Sequence, residues 1–236
     1  MNEIQKLIYA VKEADSANKL LDAVEELAAA KSQLAVPVLI AALSYNNPGA
    51  AVAAVDGLIA IGKASVKPLL ELIDAHNYTA RAWAIRALAG IGDFRGLKTL
   101  LDAAENDFAL SVRRAAARGL GTLIWDEMTP ETLNLAQVEV LEVLIRVCQD
   151  PEWVVRYAAI NGLENVAQST KHIPLDLLLK INKFLIKRLE TEETIVVLTR
   201  IQLARQRVEQ IISRKILLSE SLKEEQQKPH RGIGRR

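Results

Sequence analysis

Residues 77–125 read NYTARAWAIRALAGIGDFRGLKTLLDAAENDFALSVRRAAARGLGTLIW, and the fold follows from their internal repetition. An arginine opens a helix of small residues, a Leu-Ala-Gly or Leu-Gly step closes it, and a leucine-rich helix follows. Arg81, Arg86 and Leu88 in the first copy match Arg113, Arg118 and Leu120 in the second, each offset by 32 residues. Self-similarity at a period of roughly 30 to 45 residues marks a helical solenoid, because each unit buries its apolar face only against its neighbours.

Working outward, helices are expected over 2–14, 17–30, 33–45, 50–61, 64–75, 79–91, 94–105, 110–124, 135–148, 152–167, 175–189 and 192–216. Asn46-Asn47-Pro48-Gly49, His76-Asn77-Tyr78, Asn106-Asp107 and Gln149-Asp150-Pro151 are the turns between them. Longer connections hold Thr129-Pro130 and Ile173-Pro174. No segment alternates with period two over strand length. The expected fold is all-α: a HEAT-like α-solenoid, a right-handed superhelix of about six hairpins over 1–217. A polar, flexible tail is expected over 218–236.

Composition narrows the function classes. Half of the 236 residues are hydrophobic but only 4% are aromatic, so the core is Leu, Ile, Val and Ala. The 30 basic and 29 acidic residues nearly cancel, which argues against nucleic acid or a membrane surface as partner. No stretch reads as a membrane span, and MNEIQKLIYAVKEAD lacks the apolar run of a secretory leader. A single cysteine, Cys148, excludes an internal disulfide and fits a reducing, cytoplasmic home. The three histidines, at 76, 172 and 230, have no metal-ligand spacing, so no metal site is expected.

Reading helix 110–124 at 100° per residue puts Val112, Ala116, Leu120 and Leu123 on one side and Arg114, Arg118 and Trp125 on the other. The repeat offsets carry that second stripe to Asp56, Arg86, Asp93, Tyr157 and Asn161. Stacked helices then align Asp56, Arg86, Arg118 and Asn161 in a row walled by Ala and Gly. Such a row is a candidate groove for a carboxylate or phosphate, which an arginine fork grips with paired donors. The competing reading pairs Asp56 with Arg86 on a solvated face. Trp83 fills a slot held by Ala115 and Ala158 elsewhere, as a groove residue or a packing plug. A third set, Arg81, Asp107, Arg113, Asp150 and Arg156, sits at the turns and reads as an inter-repeat Asp–Arg ladder.

VRRAAARGLGTL, VRYAAINGL and RAWAIRALAGIGD resemble the HEAT-like repeats of the phycobilin lyase family, over about residues 20–210. The run from Asn77 to Gly121 resembles more specifically the F-type (beta) subunits of the heterodimeric phycocyanobilin lyases. The resemblance implies attachment of phycocyanobilin to a cysteine of the phycocyanin alpha subunit, in complex with an E-type (alpha) lyase subunit. The bilin would be the substrate chromophore, with no tightly bound cofactor. On this reading Arg86 and Arg118 meet propionates, Asp56 accepts pyrrole N–H groups, and Trp83, Tyr78 or Trp125 stack, with Tyr157 and Asn161 further along the stripe. Related lyase-isomerases carry an adjacent His-Cys pair. Here Cys148 follows Val147 and His76 precedes Asn77, which implies a lyase without isomerase activity. Cys148 reads as a buried thiol rather than a transient bilin carrier. The alternatives are a non-catalytic scaffold, chaperone or degradation adaptor for phycobiliproteins, and a helical-repeat nucleic-acid protein.

Overall fold

The computed structural model describes residues 1–73, 78–169 and 171–227. Twelve helices occur among them: α1 (Glu3–Lys12), α2 (Ala17–Ala29), α3 (Val36–Ala42), α4 (Pro48–Ile61), α5 (Val66–Ile73), α6 (Tyr78–Ile91), α7 (Leu97–Asn106), α8 (Leu110–Leu120), α9 (Pro130–Val147), α10 (Trp153–Gln168), α11 (Leu175–Leu189) and α12 (Ile195–Gln227). They pair into six antiparallel hairpins. The even-numbered helices pack side by side in chain order, and the odd-numbered helices cover their backs. Fully buried Leu27, Leu58, Leu88, Leu120 and Ile160 run through successive hairpins as one continuous core.

The spacing between repeats is set by small residues. A Cβ on Gly119 of α8 would lie 2.4 Å from the Ala89 Cβ of α6. One on Gly162 of α10 would lie 2.6 Å from the Ala117 carbonyl oxygen of α8. Backbones this close permit no larger side chain, which is why the even helices read as runs of Ala and Gly. Gly92 closes α6 at φ +68°, a left-handed turn that favours glycine, and its carbonyl accepts the Ile124 N–H at 2.9 Å.

Four expectations need correction. Helix α8 ends at Leu120, capped through Gly121, rather than continuing to 124. Trp125 therefore leaves the helical wheel; it opens a 3-10 turn over Trp125–Glu127 and is buried in the core, 3% exposed. Helix α9 begins at Pro130 instead of 135, because Thr129 caps it and proline occupies its first turn. Helix α12 continues to Gln227, so no break falls at 217–218. Finally, Pro48–Ile73 is apolar enough by length and composition to cross a membrane, with mean hydropathy 1.5. In this fold it is α4 and α5, hinged by a 3-10 turn at Gly62 (φ +74°), with their apolar faces in the solenoid core. The expected turn at His76-Asn77 and the tail from residue 228 lie outside the described residues.

Candidate functional site

Two edges of the even-helix layer are stitched by ion pairs, and the space between them is the candidate site. On the N-terminal edge, each carboxylate sits in the turn before a helix. Asp107 accepts the Ala109 N–H at 2.8 Å, Asp150 the Glu152 N–H at 2.8 Å, and Glu192 the Thr194 N–H at 3.0 Å. Each carboxylate also takes the arginine of the preceding repeat: Arg81 to Asp107, Arg113 to Asp150, Arg156 to Glu192. Arg113 is forked onto Asp150 at 2.7 and 3.1 Å while its other amino group donates to the Asp107 and Phe108 carbonyls at 2.9 and 3.0 Å. Arg156 repeats the pattern on Glu192, Asp150 and Pro151. Arg113 and Arg156 thus each serve their own turn through backbone oxygens and the next repeat through a carboxylate, so the acid six residues upstream supplies a carbonyl and not the ion pair. Burial works to raise the Glu192 carboxyl, but the hydrogen bonds from Arg156 and Thr194 outweigh it and hold the group down at about 2.

On the other edge Asp93 is drawn away from the groove. Its carboxylate is buried and takes Arg95 at 2.8 and 2.7 Å, and this hydrogen-bonded guanidinium holds it below the usual carboxylate range. Arg95 also donates to the Lys63 carbonyl at 3.0 Å, which binds adjacent repeats.

Between the edges a groove crosses the even helices as three depressions that share their lining. The first, about 480 Å³, lies over α2 and α4 and includes Asp56. The second, about 410 Å³, runs from Asp56 across Arg86 to Arg114 and Arg118, floored by Ala89, Gly90, Ala115 and Gly119. The third, about 550 Å³, begins at Arg114 and Arg118 and ends among Trp153, Tyr157, Asn161 and Val196. The alanines and glycines that let the helices approach leave the floor without side chains, so the arginines stand above it.

The structure brings Asp56, Arg86, Arg118, Tyr157 and Asn161 onto this one surface. Asp56 and Arg86 line the same depression, yet no ion pair joins them among the described residues. The Arg86 guanidinium lies 5.5 Å from the Trp83 ring centroid, a cation–π contact between residues one turn apart on α6. Trp83 is half-buried against the core and supports Arg86 rather than lining the depressions. Trp125 is removed from the site by its burial. Tyr78 opens α6, and its side chain lies outside the described residues. Cys148 follows α9, fully buried, and burial pushes its thiol far up, so it holds no thiolate for carrier chemistry.

The sequence reading leaves two contributors out and underuses a third. Arg114, placed on the groove-facing stripe but given no ligand, joins two depressions; its slot is Ala82 one repeat earlier, so the row built from repeat offsets passes it over. Trp153, 45% exposed, is the first residue of α10, within the expected helix 152–167, but it lies off the stripe read from the repeat offsets. Glu192 completes the ladder with a glutamate where the earlier rungs have aspartate.

Stacked helical hairpins tied by arginine–carboxylate rungs, with an open groove across their inner helices, define a HEAT-repeat solenoid, and the HEAT-repeat family model matches residues 4–89, 66–137 and 97–183. Among curated proteins, the phycocyanobilin lyase subunit beta of Pseudanabaena tenuis (strain PCC 7409) is 62% identical over 167 residues, 70% of this chain and 59% of that one. The phycocyanin alpha phycocyanobilin lyase CpcF of Synechocystis sp. (strain ATCC 27184 / PCC 6803 / Kazusa) is 60% identical over 170 residues, covering 72% and 79%. A solved structure of the complex of CpcE and CpcF of phycocyanin lyase from Nostoc sp. PCC7120 superposes with a TM-score of 0.69 at 45% identity, over 74% of this chain and 99% of that one. The chain belongs to the family of phycocyanobilin lyase beta subunits.

Proposed function

We propose that the protein works as one subunit of a heterodimeric lyase, with an E-type subunit, and attaches phycocyanobilin to a cysteine of the phycocyanin alpha subunit in the cytoplasm. The observation that carries this reading is the arginine row Arg86, Arg114 and Arg118, which enters no ion pair among the described residues and stands over a floor of Ala and Gly. A flat floor suits a conjugated tetrapyrrole, forked guanidinium groups suit its propionates, and Asp56 at the far end is an acceptor for pyrrole N–H groups. The bilin is substrate, not resident cofactor. In the reaction the acceptor thiol adds across the exocyclic ethylidene double bond: the C–S bond forms, the π bond is consumed, and the thiol proton ends on the bilin. There is no leaving group, so the lyase acts chiefly by holding the bilin in one orientation beside the incoming thiol. The same surface serves detachment by the reverse step. The missing His-Cys pair supports attachment without isomerisation.

The test is co-expression with the E-type subunit, the phycocyanin alpha subunit and a source of phycocyanobilin. The expected product is alpha subunit carrying covalent, unisomerised phycocyanobilin by mass and absorbance. Cys148→Ala should transfer bilin like the wild type. Tight binding of the alpha subunit without any thioether would make the protein a scaffold and refute the lyase reading.

A further inference from the structure

We propose that the depression between α8, α10 and α12 seats one terminal ring of a linear tetrapyrrole, with Arg114 and Arg118 at its mouth taking the two propionates and Trp153 and Tyr157 holding the ring. This rests on the reading of the groove as a bilin surface and adds the direction in which the chromophore lies.

Repeat comparison singles out this depression. The slot of Tyr157 is Arg114 one repeat earlier and Ala82 before that; the slot of Trp153 is Leu110. At the α8–α10 boundary, therefore, arginines of one repeat face aromatics of the next. Trp153 is 45% exposed, Tyr157 39% and Val196 50%, all on the wall of one depression of about 550 Å³. Two aromatic rings and a valine left open around one cavity form a place for a flat apolar group, and the volume is in the range of a small-molecule site. The wall is firmly held. One turn beyond Val196, Arg200 is buried and pairs with the buried Glu164 of α10, which also receives Arg207 and the Gln168 side-chain amide. These contacts fix α12 against α10, so the cavity does not depend on a ligand to form.

The arginines then set the direction. Arg114 and Arg118 are one turn apart on α8, about 5–6 Å between Cβ atoms. The propionates of a bilin hang from its two central, neighbouring pyrroles. Anchored there, the molecule extends both ways: one terminal ring into the Trp153–Tyr157 cavity, the other over the Gly90 and Gly119 floor towards Asp56. The ring bearing the ethylidene belongs on the glycine floor, because an incoming thiol needs an open face and the aromatic cavity would cover it. Arg86, engaged with Trp83, is not required for the propionates.

The experiment uses the purified complex with the E-type subunit, titrated with phycocyanobilin and with its dimethyl ester, followed by bilin absorbance and tryptophan fluorescence. Trp153→Leu should weaken phycocyanobilin binding at least tenfold and remove much of the bilin-induced quenching. Arg114→Gln should weaken the free acid part of the way towards the ester, because Arg118 still holds one propionate, while leaving the ester unchanged. If both variants bind like wild type while Arg86→Lys and Asp56→Asn weaken binding, the bilin lies elsewhere in the groove; this proposal falls and the lyase reading stands. If no groove variant changes binding, both fall. If Trp153→Leu keeps bilin affinity but separates the two subunits on a sizing column, the aromatic patch is a protein interface and the proposal is overturned.

Discussion

Arg113 meets more polar partners than any groove arginine. It spans two carboxylate oxygens of Asp150 and two backbone carbonyls of its own turn, with its side chain 13% exposed. A lysine would keep the charge but cannot fork, so Asp150 would lose a bond inside a largely buried site. Arg113→Lys should cost about 2 kcal/mol and lower the melting temperature, without changing bilin affinity. A variant that melts like wild type yet loses bilin would assign the opening arginines, rather than Arg86, Arg114 and Arg118, to the ligand. Glu192 adds a pH signature. Its carboxyl stands at about 2 in the fold against 4.5 for an unperturbed glutamate. A depressed folded pKa gives stability that is present above the unfolded value and lost as pH falls through the folded one. Urea midpoints should therefore fall as pH drops from about 4.5 to about 2. Glu192→Gln should start lower at neutral pH and fall less steeply through that window.

Between elements, glycine is the spacer. At Gly162 an added Cβ would meet the Ala117 carbonyl at 2.6 Å and Leu144 at 3.0 Å, so α8 and α10 would have to part. At Gly96 the nearest atom would be 3.7 Å away, with no left-handed φ to strain. Gly162→Ala should cost about 1–3 kcal/mol, whereas Gly96→Ala should be neutral or gain a few tenths by restricting the unfolded chain. Equal melting temperatures for the two would refute the close-approach argument. The same elements explain what the sequence discloses. Repeat offsets locate the hairpins and align Asp56, Arg86, Arg118 and Asn161, because a solenoid copies each position into the next unit. They fail where a unit departs from the copy. Trp125 lies past the end of α8, so extrapolating the helical wheel sends a core residue to the groove. Thr129-Pro130 reads as a break but is a capped helix start. Arg114 and Trp153 line the site because their repeats differ from the others, and an argument from equivalence has no purchase there.

At the scale of the whole molecule the last helix is the anomaly. Helix α12 has 33 residues against 15 for its hairpin partner α11, so at about 1.5 Å per residue it outruns that partner by roughly 25 Å. Its packed side, Val197, Ile201, Ala204, Val208 and Ile212, ends where the hairpin does. Beyond lie Ile216, Leu217 and Leu218, exposed by 38, 62 and 65%. Three adjacent, largely exposed apolar residues past the end of the hairpin are of the kind that suits a protein partner. The solved relative from Nostoc is a complex of CpcE with CpcF. We therefore expect a tight one-to-one complex with the E-type subunit, and self-association or poor solubility when the chain is made alone. Size-exclusion chromatography of the co-expressed pair checks this at micromolar concentration, where two separate monomer peaks would refute it. Replacing Leu217 and Leu218 by Ser tests the surface itself. These side chains are mostly exposed and lie outside the core, so the solenoid should melt nearly unchanged while the complex weakens. If the complex is unaffected, the partner docks elsewhere on the solenoid and the overhang has another occupant.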